Sequence, residues 1–249
     1  MEIMQLRPDP RLAEIVFRGV LIVLLAIAVG MLGSVVLLRG EMPAAYNSIS
    51  NTVQVVASTV AAGAAAWVYY SRKKSLLLAH GAFAGATWTL ANTFWFAYFV
   101  LIGEGLNYPT VADLGFIGVF LFLISGYQEG MARSSLPAWY AAPALAILPL
   151  FGLVPVFLLG VSGKTLTTLV VFVLAAVLIS EALLRSGYRH PLLLSGTIAF
   201  AITHLFNSLD STIPNLPWAV GVEAVGGMAV LSFSLLGLAF LQYAQEGET

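Results

Sequence analysis

Cysteine is absent from the chain, which removes disulfides, thiolate metal sites and a thiol nucleophile and leaves the redox compartment open. Formal charge is almost as scarce: Asp, Glu, Lys and Arg make up 9% of 249 residues, where a soluble domain carries roughly 25%. The net charge of −1 gives no electrostatic reason to bind nucleic acid. Lysine occurs only at Lys73, Lys74 and Lys164, all at the ends of apolar runs, so there is no mid-membrane lysine for a retinal Schiff base. Histidine is limited to His80, His190 and His204. The first and last fall at depths roughly 13 Å apart along their helices, and His190 sits in a loop. No clustered haem or zinc site is expected, and neither a metal nor a cofactor is assigned.

What the chain has instead is apolar length. Hydrophobic residues account for 59% of it, more than a soluble fold of this size buries. The bilayer then acts as the solvent, and in it only helices and closed barrels satisfy the backbone. Barrel strands would show short alternating segments. Here the runs do not alternate and last about 20 residues, enough to cross a hydrocarbon core of roughly 30 Å. The expected fold is all-α, a polytopic transmembrane helix bundle that makes one domain of 1–249. Eight spans are predicted, at 19–38, 48–70, 75–102, 110–132, 137–160, 163–184, 191–209 and 217–243. The first exceeds the roughly 7–15 residues of a signal-peptide core and is read as retained. Pro143, Pro149 and Pro155 predict a kink or break in the fifth.

Basic residues set the orientation. With the amino terminus inside, Arg7, Arg11, Arg18, Arg72, Lys73, Lys74, Arg133, Arg185 and Arg189 are cytoplasmic, and only Arg39 and Lys164 are outside. That asymmetry follows the positive-inside rule and favours an even number of spans, with both termini cytoplasmic in a cell membrane. The loops are short and only six residues follow Tyr243. Any cytoplasmic output is therefore expected from another polypeptide, a signalling partner, with membrane lipids as the other partners. No oligomeric state follows from the sequence.

Spans three and four echo the plan of seven and eight. Each pair has a helix ending in polar residues, a short acidic loop with proline, and a glycine-containing helix with an early acid. A spacing of roughly 107–119 residues suggests a 4+4 parallel repeat. The run Trp88, Asn92, Trp95, Tyr98, followed by Pro109, Thr110, Ala112, Asp113 and Phe116, resembles a multi-helix membrane sensory module of bacterial and archaeal signalling proteins. In that family a Trp-rich helix leads to Pro-Ser-x-Ala-Asp and then an aromatic residue, ahead of diguanylate cyclase, phosphodiesterase or histidine kinase domains. The likeness spans about 40 residues well and the last two spans loosely. Thr110 replaces the usual serine, and no output domain follows. The resemblance implies sensing without naming a ligand.

Polar residues inside spans are costly and face the bundle or a wet cavity. Glu129 with Arg133, and Glu181 with Arg185, have the i,i+4 spacing of structural ion pairs. On the second helix Asn47, Asn51, Gln54 and Ser58 form a stripe continued by Ala61, Ala62 and Ala65. Trp88, Asn92, Trp95 and Phe99 share a face of the third helix, as do Thr197, His204, Asn207, Ser208 and Ser211 on the seventh. On the eighth, Glu223 heads a small-residue stripe of Gly227, Ser234 and Gly237, as at a helix contact. All of these map to the outer half. Glu104 and Asp210 are read as solvated loop acids. Asp113 and Glu223 are read as structural hydrogen-bonding groups or as ligand groups, protonated by burial or paired with a cation; Asp113 is equally suited to cap its helix. His204 is either a packed, hydrogen-bonded histidine or a ligand contact, and Trp88 and Trp95 are either core or the wall of a cage.

The candidate ligand-binding set is Trp88, Asn92, Trp95, Asp113, His204, Asn207, Glu223, Asn51 and Gln54, forming an outward-facing pocket. The leading functional expectation is a sensory or ligand-binding module acting through a cytoplasmic partner. A small cation- or proton-coupled carrier is the second. A lipid-active enzyme, with an acid and His204 as the acid–base pair, is the third, and no catalytic residue is assigned.

Overall fold

Eight apolar runs become eight helices: α1 (Pro10–Leu37), α2 (Tyr46–Ser71), α3 (Leu76–Ile102), α4 (Val111–Gly130), α5 (Ala142–Leu159), α6 (Gly163–Arg185), α7 (Pro191–Thr212) and α8 (Gly221–Gln245). The structure, a computed structural model, describes residues 10–38, 43, 45–102, 110–134, 136–213 and 221–245. Of Pro10, Phe99, Val222, Glu223 and Ala244 it describes only the backbone. Arg7, Arg39, Glu104, Tyr108, Pro109 and positions 217–220 therefore lie outside the described residues. Among the described residues, seven helices are long and apolar enough to cross a membrane. The eighth, α3, is 27 residues long and free of Asp, Glu, Lys and Arg. The chain is a multi-pass membrane protein with an all-α bundle.

Two boundaries differ from the sequence expectation for physical reasons. Helix α1 begins at Pro10 rather than near Gly19, because its charged first turns are answered by partners. Glu14 pairs with Arg18 at 2.9 Å and with Arg72, just past the end of α2, at 2.7 Å, and accepts a hydrogen bond from Gln245 of α8 at 2.9 Å. Helix α5 is unbroken from 142 to 159. Pro143 sits in its first turn, where the missing N–H costs nothing, and Pro149 and Pro155 lie inside it. Gly152 and Pro155 are the buried residues of α5, and α6 lies against it. A Cβ on Gly152 would stand 2.7 Å from Phe172 Cβ. A neighbouring helix packed this closely is the setting in which membrane helices tolerate interior proline. The α5–α6 turn is closed by Gly160 at φ 79°, a left-handed conformation suited to glycine.

Helices α4 and α6 both start with a reciprocal cap. Asp113 Oδ2 accepts from Thr110 N at 2.6 Å and from Thr110 Oγ1 at 2.8 Å, while Thr110 Oγ1 accepts from Asp113 N at 3.3 Å. Ser162 and Thr165 exchange the equivalent bonds at 2.9 and 3.2 Å. Each box satisfies two of the backbone donors that a helix start leaves open.

The helices close into a ring. α2 touches α3, α3 touches α4, α4 touches α6, α6 touches α7, α7 touches α8, and α8 returns to α2. α1 lies outside on α8 and α2, and α5 outside on α6. Mapping α1–α4 onto α5–α8 carries the run α2–α3–α4 onto α6–α7–α8 and the join α4–α6 onto α8–α2. The outer helices break the correspondence: α1 packs mainly on α8, whereas α5 packs on α6 and not on α4, so the 4+4 order holds for the ring alone. Gly227 and Gly237 of α8 meet α1 at Leu32 and Leu21, so the small-residue stripe is a helix contact as expected.

One end of the bundle carries the described basic residues Arg11, Arg18, Arg72, Lys73, Lys74, Arg133, Arg185 and Arg189; Lys164 lies at the other. At this basic end Arg185 binds Glu181 and donates to the carbonyls of Gln128 (3.2 Å) and Met131 (2.7 Å). Glu129 and Arg133 form no such pair. Helix α4 stops at Gly130 and Met131 is extended, so the helical spacing that would bring them together is lost.

Two outcomes test this packing. Gly85→Ala places a methyl 2.9 Å from the Ser58 carbonyl oxygen and from Ala62 Cβ, and is expected to cost about 1–3 kcal/mol in a denaturation series in mixed micelles. Gly30→Ala, where nothing lies within 4 Å, is expected to shift the same midpoint by under ~1 kcal/mol. Asp113→Ala removes the α4 cap and is expected to cost about 0.5–2 kcal/mol, with Asp113→Asn, still an acceptor, costing less.

Candidate functional site

Aromatic residues at helical spacing turn toward the centre of the ring. Phe116 and Phe120 are four apart on α4, and Phe200 and His204 four apart on α7, so each pair shares a face. With Trp88 of α3 they form a box at mid-depth. Trp88 is 12 residues from the basic-end start of α3 (88 − 76) and His204 is 13 from that of α7 (204 − 191). The His204 ring lies 4.5 Å from Phe200, 5.0 Å from Phe120, 5.8 Å from Phe116 and 5.0 Å from Trp88, the last edge-on at 86°. Trp88 also meets Phe116 at 4.8 Å and Phe233 of α8 at 5.2 Å. Trp88 and His204 are 116 residues apart, within the spacing of the repeat, so each half of the chain supplies one ring to this junction.

The box holds two polar atoms without hydrogen-bond partners. Trp88 is 4% exposed and His204 3%, and neither Trp88 Nε1 nor His204 Nε2 has a partner. A buried group left this way costs about 1–3 kcal/mol, and such exceptions are few in a native fold. Among the described residues no carboxylate bonds to His204; the Glu223 side chain lies outside them.

One turn beyond Trp88 the interior becomes an amide cluster. Gln54 Nε2 donates to Ser50 Oγ at 3.2 Å and to Asn51 Oδ1 at 3.4 Å, and Asn92 Nδ2 donates to the Asn51 carbonyl at 3.4 Å. Gln54 and Asn92 are buried and Asn51 is half-buried. The α8 backbone seals the cluster: a Cβ on Gly226 would overlap Ser50 Oγ. These groups are closed within the bundle rather than lining an open mouth.

The remaining predicted residues disperse. Asp113 is half-buried and engaged in the α4 cap, the structural one of its two expected roles. Trp95 is half-buried two turns along α3 from Trp88, and Asn207 is half-buried one turn beyond His204 on α7. The Glu223 side chain lies outside the described residues; its backbone is one turn from Gly226. Asn47 and Ser211, expected on inward stripes, are exposed; Ser208, expected on the same stripe as Ser211, is buried, as is Ser50.

Sequence reasoning passed over the phenylalanines. Phe116 entered only through the family resemblance, and Phe120, Phe200 and Phe233 as plain apolar residues. Their i,i+4 pairing beside His204 was the available signal. It also passed over Tyr127, fully buried on α4, whose hydroxyl shares a 2.7 Å hydrogen bond with Thr197 Oγ1 of α7. Thr197 is seven residues, two turns, below His204 on the same face, so this bond joins the halves on the basic-end side of the box. Compared with known protein families, curated proteins and solved structures, the chain matches none.

Proposed function

We propose that the protein is a membrane-embedded, ligand-binding sensory module, with the box around Trp88 and His204 and the adjoining amide cluster as its binding region. The observation that carries this reading is the pair of buried nitrogens without partners, one from each half of the chain. A ligand that satisfies them lowers the energy of one arrangement of the halves relative to another, which is the differential affinity any population shift requires.

The connections between halves on the basic-end side supply the readout. Tyr127 binds Thr197, Gln128 donates to Glu181 at 2.9 Å, and Arg185 holds the Gln128 and Met131 carbonyls. A shift of α4 against α6 and α7 changes the surface that carries Arg133 and Arg189. On this reading that surface is cytoplasmic in a cell membrane and is recognised by a partner protein. The unbroken α5 and the lack of a described acid at His204 favour sensing over a carrier or a lipid-active enzyme.

The orientation is testable because the chain has no cysteine. Lys74→Cys and Arg189→Cys are expected to resist a membrane-impermeant maleimide in intact cells and to react after lysis, with Lys164→Cys reacting in both. Labelling of Lys74→Cys in intact cells would invert the topology. For binding, wild-type protein in nanodiscs is expected to gain thermal stability from a total lipid extract, on the order of 2.7 kcal/mol at a hundredfold excess over Kd. The double variant Trp88→Phe/His204→Phe is expected to lose that gain. A wild-type unfolding temperature unmoved by the extract would refute a ligand-binding role for this box.

A further inference from the structure

We infer that the Trp88–His204 box takes an uncharged, lipid-soluble molecule that it recognises through one oxygen, carbonyl or hydroxyl. This rests on the ligand-binding reading above and narrows it to a chemical class.

The inference follows from what the box offers and what it lacks. An indole N–H donates and never accepts, so Trp88 Nε1 calls for an acceptor atom. A hydrocarbon has none, and an ammonium group brings only donors. The neutral imidazole of His204 presents either a lone pair or a proton at Nε2, according to tautomer. A hydroxyl oxygen accepts from Trp88 and donates to the lone pair, while a carbonyl oxygen accepts from both N–H groups. The two rings are in edge-on contact, centroids 5.0 Å apart, and in either tautomer an oxygen offers what each of the two unpartnered atoms calls for.

Charge is excluded on energetic grounds. Among the described residues the aromatic neighbours of the two rings are Phe116, Phe120, Phe200 and Phe233, and none of them can neutralise an ion. A buried, unpaired charge is far costlier than a buried hydroxyl or carbonyl. The same phenylalanines suit an apolar ligand body through dispersion and ring-edge contacts. Access is consistent with this. The outward faces of the helices that supply the box are apolar, as at Leu90 and Phe94 of α3 and Leu121 of α4, so a molecule arriving from the bilayer needs no charged vestibule.

The experiment uses nitrogen-15-labelled full-length protein in nanodiscs. The Trp88 indole resonance is assigned among five tryptophans by its loss in Trp88→Phe. The probes are decanol, methyl nonyl ketone, decane and decanoate. Decanol and the ketone are expected to move the Trp88 indole proton downfield in a saturable way, and decane and decanoate to leave it in place. His204→Phe is expected to weaken the two active probes by about tenfold, the scale of one buried hydrogen bond, while His204→Gln, which keeps a polar group there, retains more of the affinity. Equal responses to decane and decanol, or tighter binding of decanoate, would overturn the inference. So would an indole resonance already at its hydrogen-bonded position and unmoved by any probe, which would mean that water answers the pair. If a total lipid extract still stabilises the protein while neither oxygen probe moves the resonance, the ligand class is wrong and the ligand-binding reading stands. If neither response occurs, both fall.

Discussion

Inside a bilayer a hydrogen-bonding group is answered from within the protein or left unanswered, because there is no water to stand in. That constraint organises this bundle. Where polar side chains meet between helices, they do so in closed exchanges. Ser58 of α2 shares a 2.8 Å bond with Thr89 of α3, Thr168 of α6 a 2.7 Å bond with Thr212 of α7, and Tyr127 a bond of the same length with Thr197. Ser234, buried on α8, donates back to its own helix at the Val230 carbonyl. Against that background the exceptions among the described residues are Ser232 Oγ of α8 and the ring nitrogens of Trp88 and His204, whose rings meet at the centre of the fold; on the proposed reading a ligand answers the two nitrogens.

The ring of helices gives the exception its leverage. A six-helix closure with α1 and α5 outside places α3 and α7 across from one another, and their side chains meet inside the ring at Trp88 and His204. A group bound at Trp88 and His204 therefore touches both halves at once. The joins α4–α6 and α8–α2 are the two seams of the ring. The first of these, at the basic end, holds the Gln128–Glu181–Arg185 exchange, and on the proposed reading a relative movement of the halves would change the polar surface there. This is a two-state element only to the extent that both arrangements keep their hydrogen bonds, and the hydroxyl of Tyr127 can hold either Thr197 or the Leu193 carbonyl, 3.4 Å away. A fully buried tyrosine with two acceptors on the same facing helix is well suited to such a choice.

Much of the fold was legible because a bilayer leaves few options. Eight runs of the right length, with basic residues gathered in alternate connections on one side, admit little besides the bundle observed. The misreadings occurred where local rules met specific partners. The predicted first span began near Gly19, and the helix extends back to Pro10, where Arg72 and Gln245 answer Glu14. The prolines of α5 pointed to a kink or a break, and the helix runs without a break, with α6 alongside. The candidate site was legible in part. Trp88, Asn92, His204 and Gln54 were marked as inward-facing, and all four are buried. What the sequence could not display was how each acid is spent. Asp113 is equally suited to a cap and to a ligand shell, and only the placement of Thr110 decides between them.

The emphasis on acids had a physical source that bears on the chemistry of the centre. In an apolar sequence a carboxylate is conspicuous, because its burial is expensive, and a phenylalanine is not. Yet expense is the reason an acid tends to be anchored near a helix start, where backbone donors and a hydroxyl hold it, as at Asp113. The middle of the bundle is the region least able to hold a charge and most able to hold neutral rings. A recognition site there must discriminate by hydrogen-bond sense and shape instead of by charge. Indole and imidazole are the two aromatic side chains that carry an N–H or a ring lone pair without being ionised. Their meeting at mid-depth, among four phenylalanines, is what the low dielectric permits a membrane-buried recognition site to be.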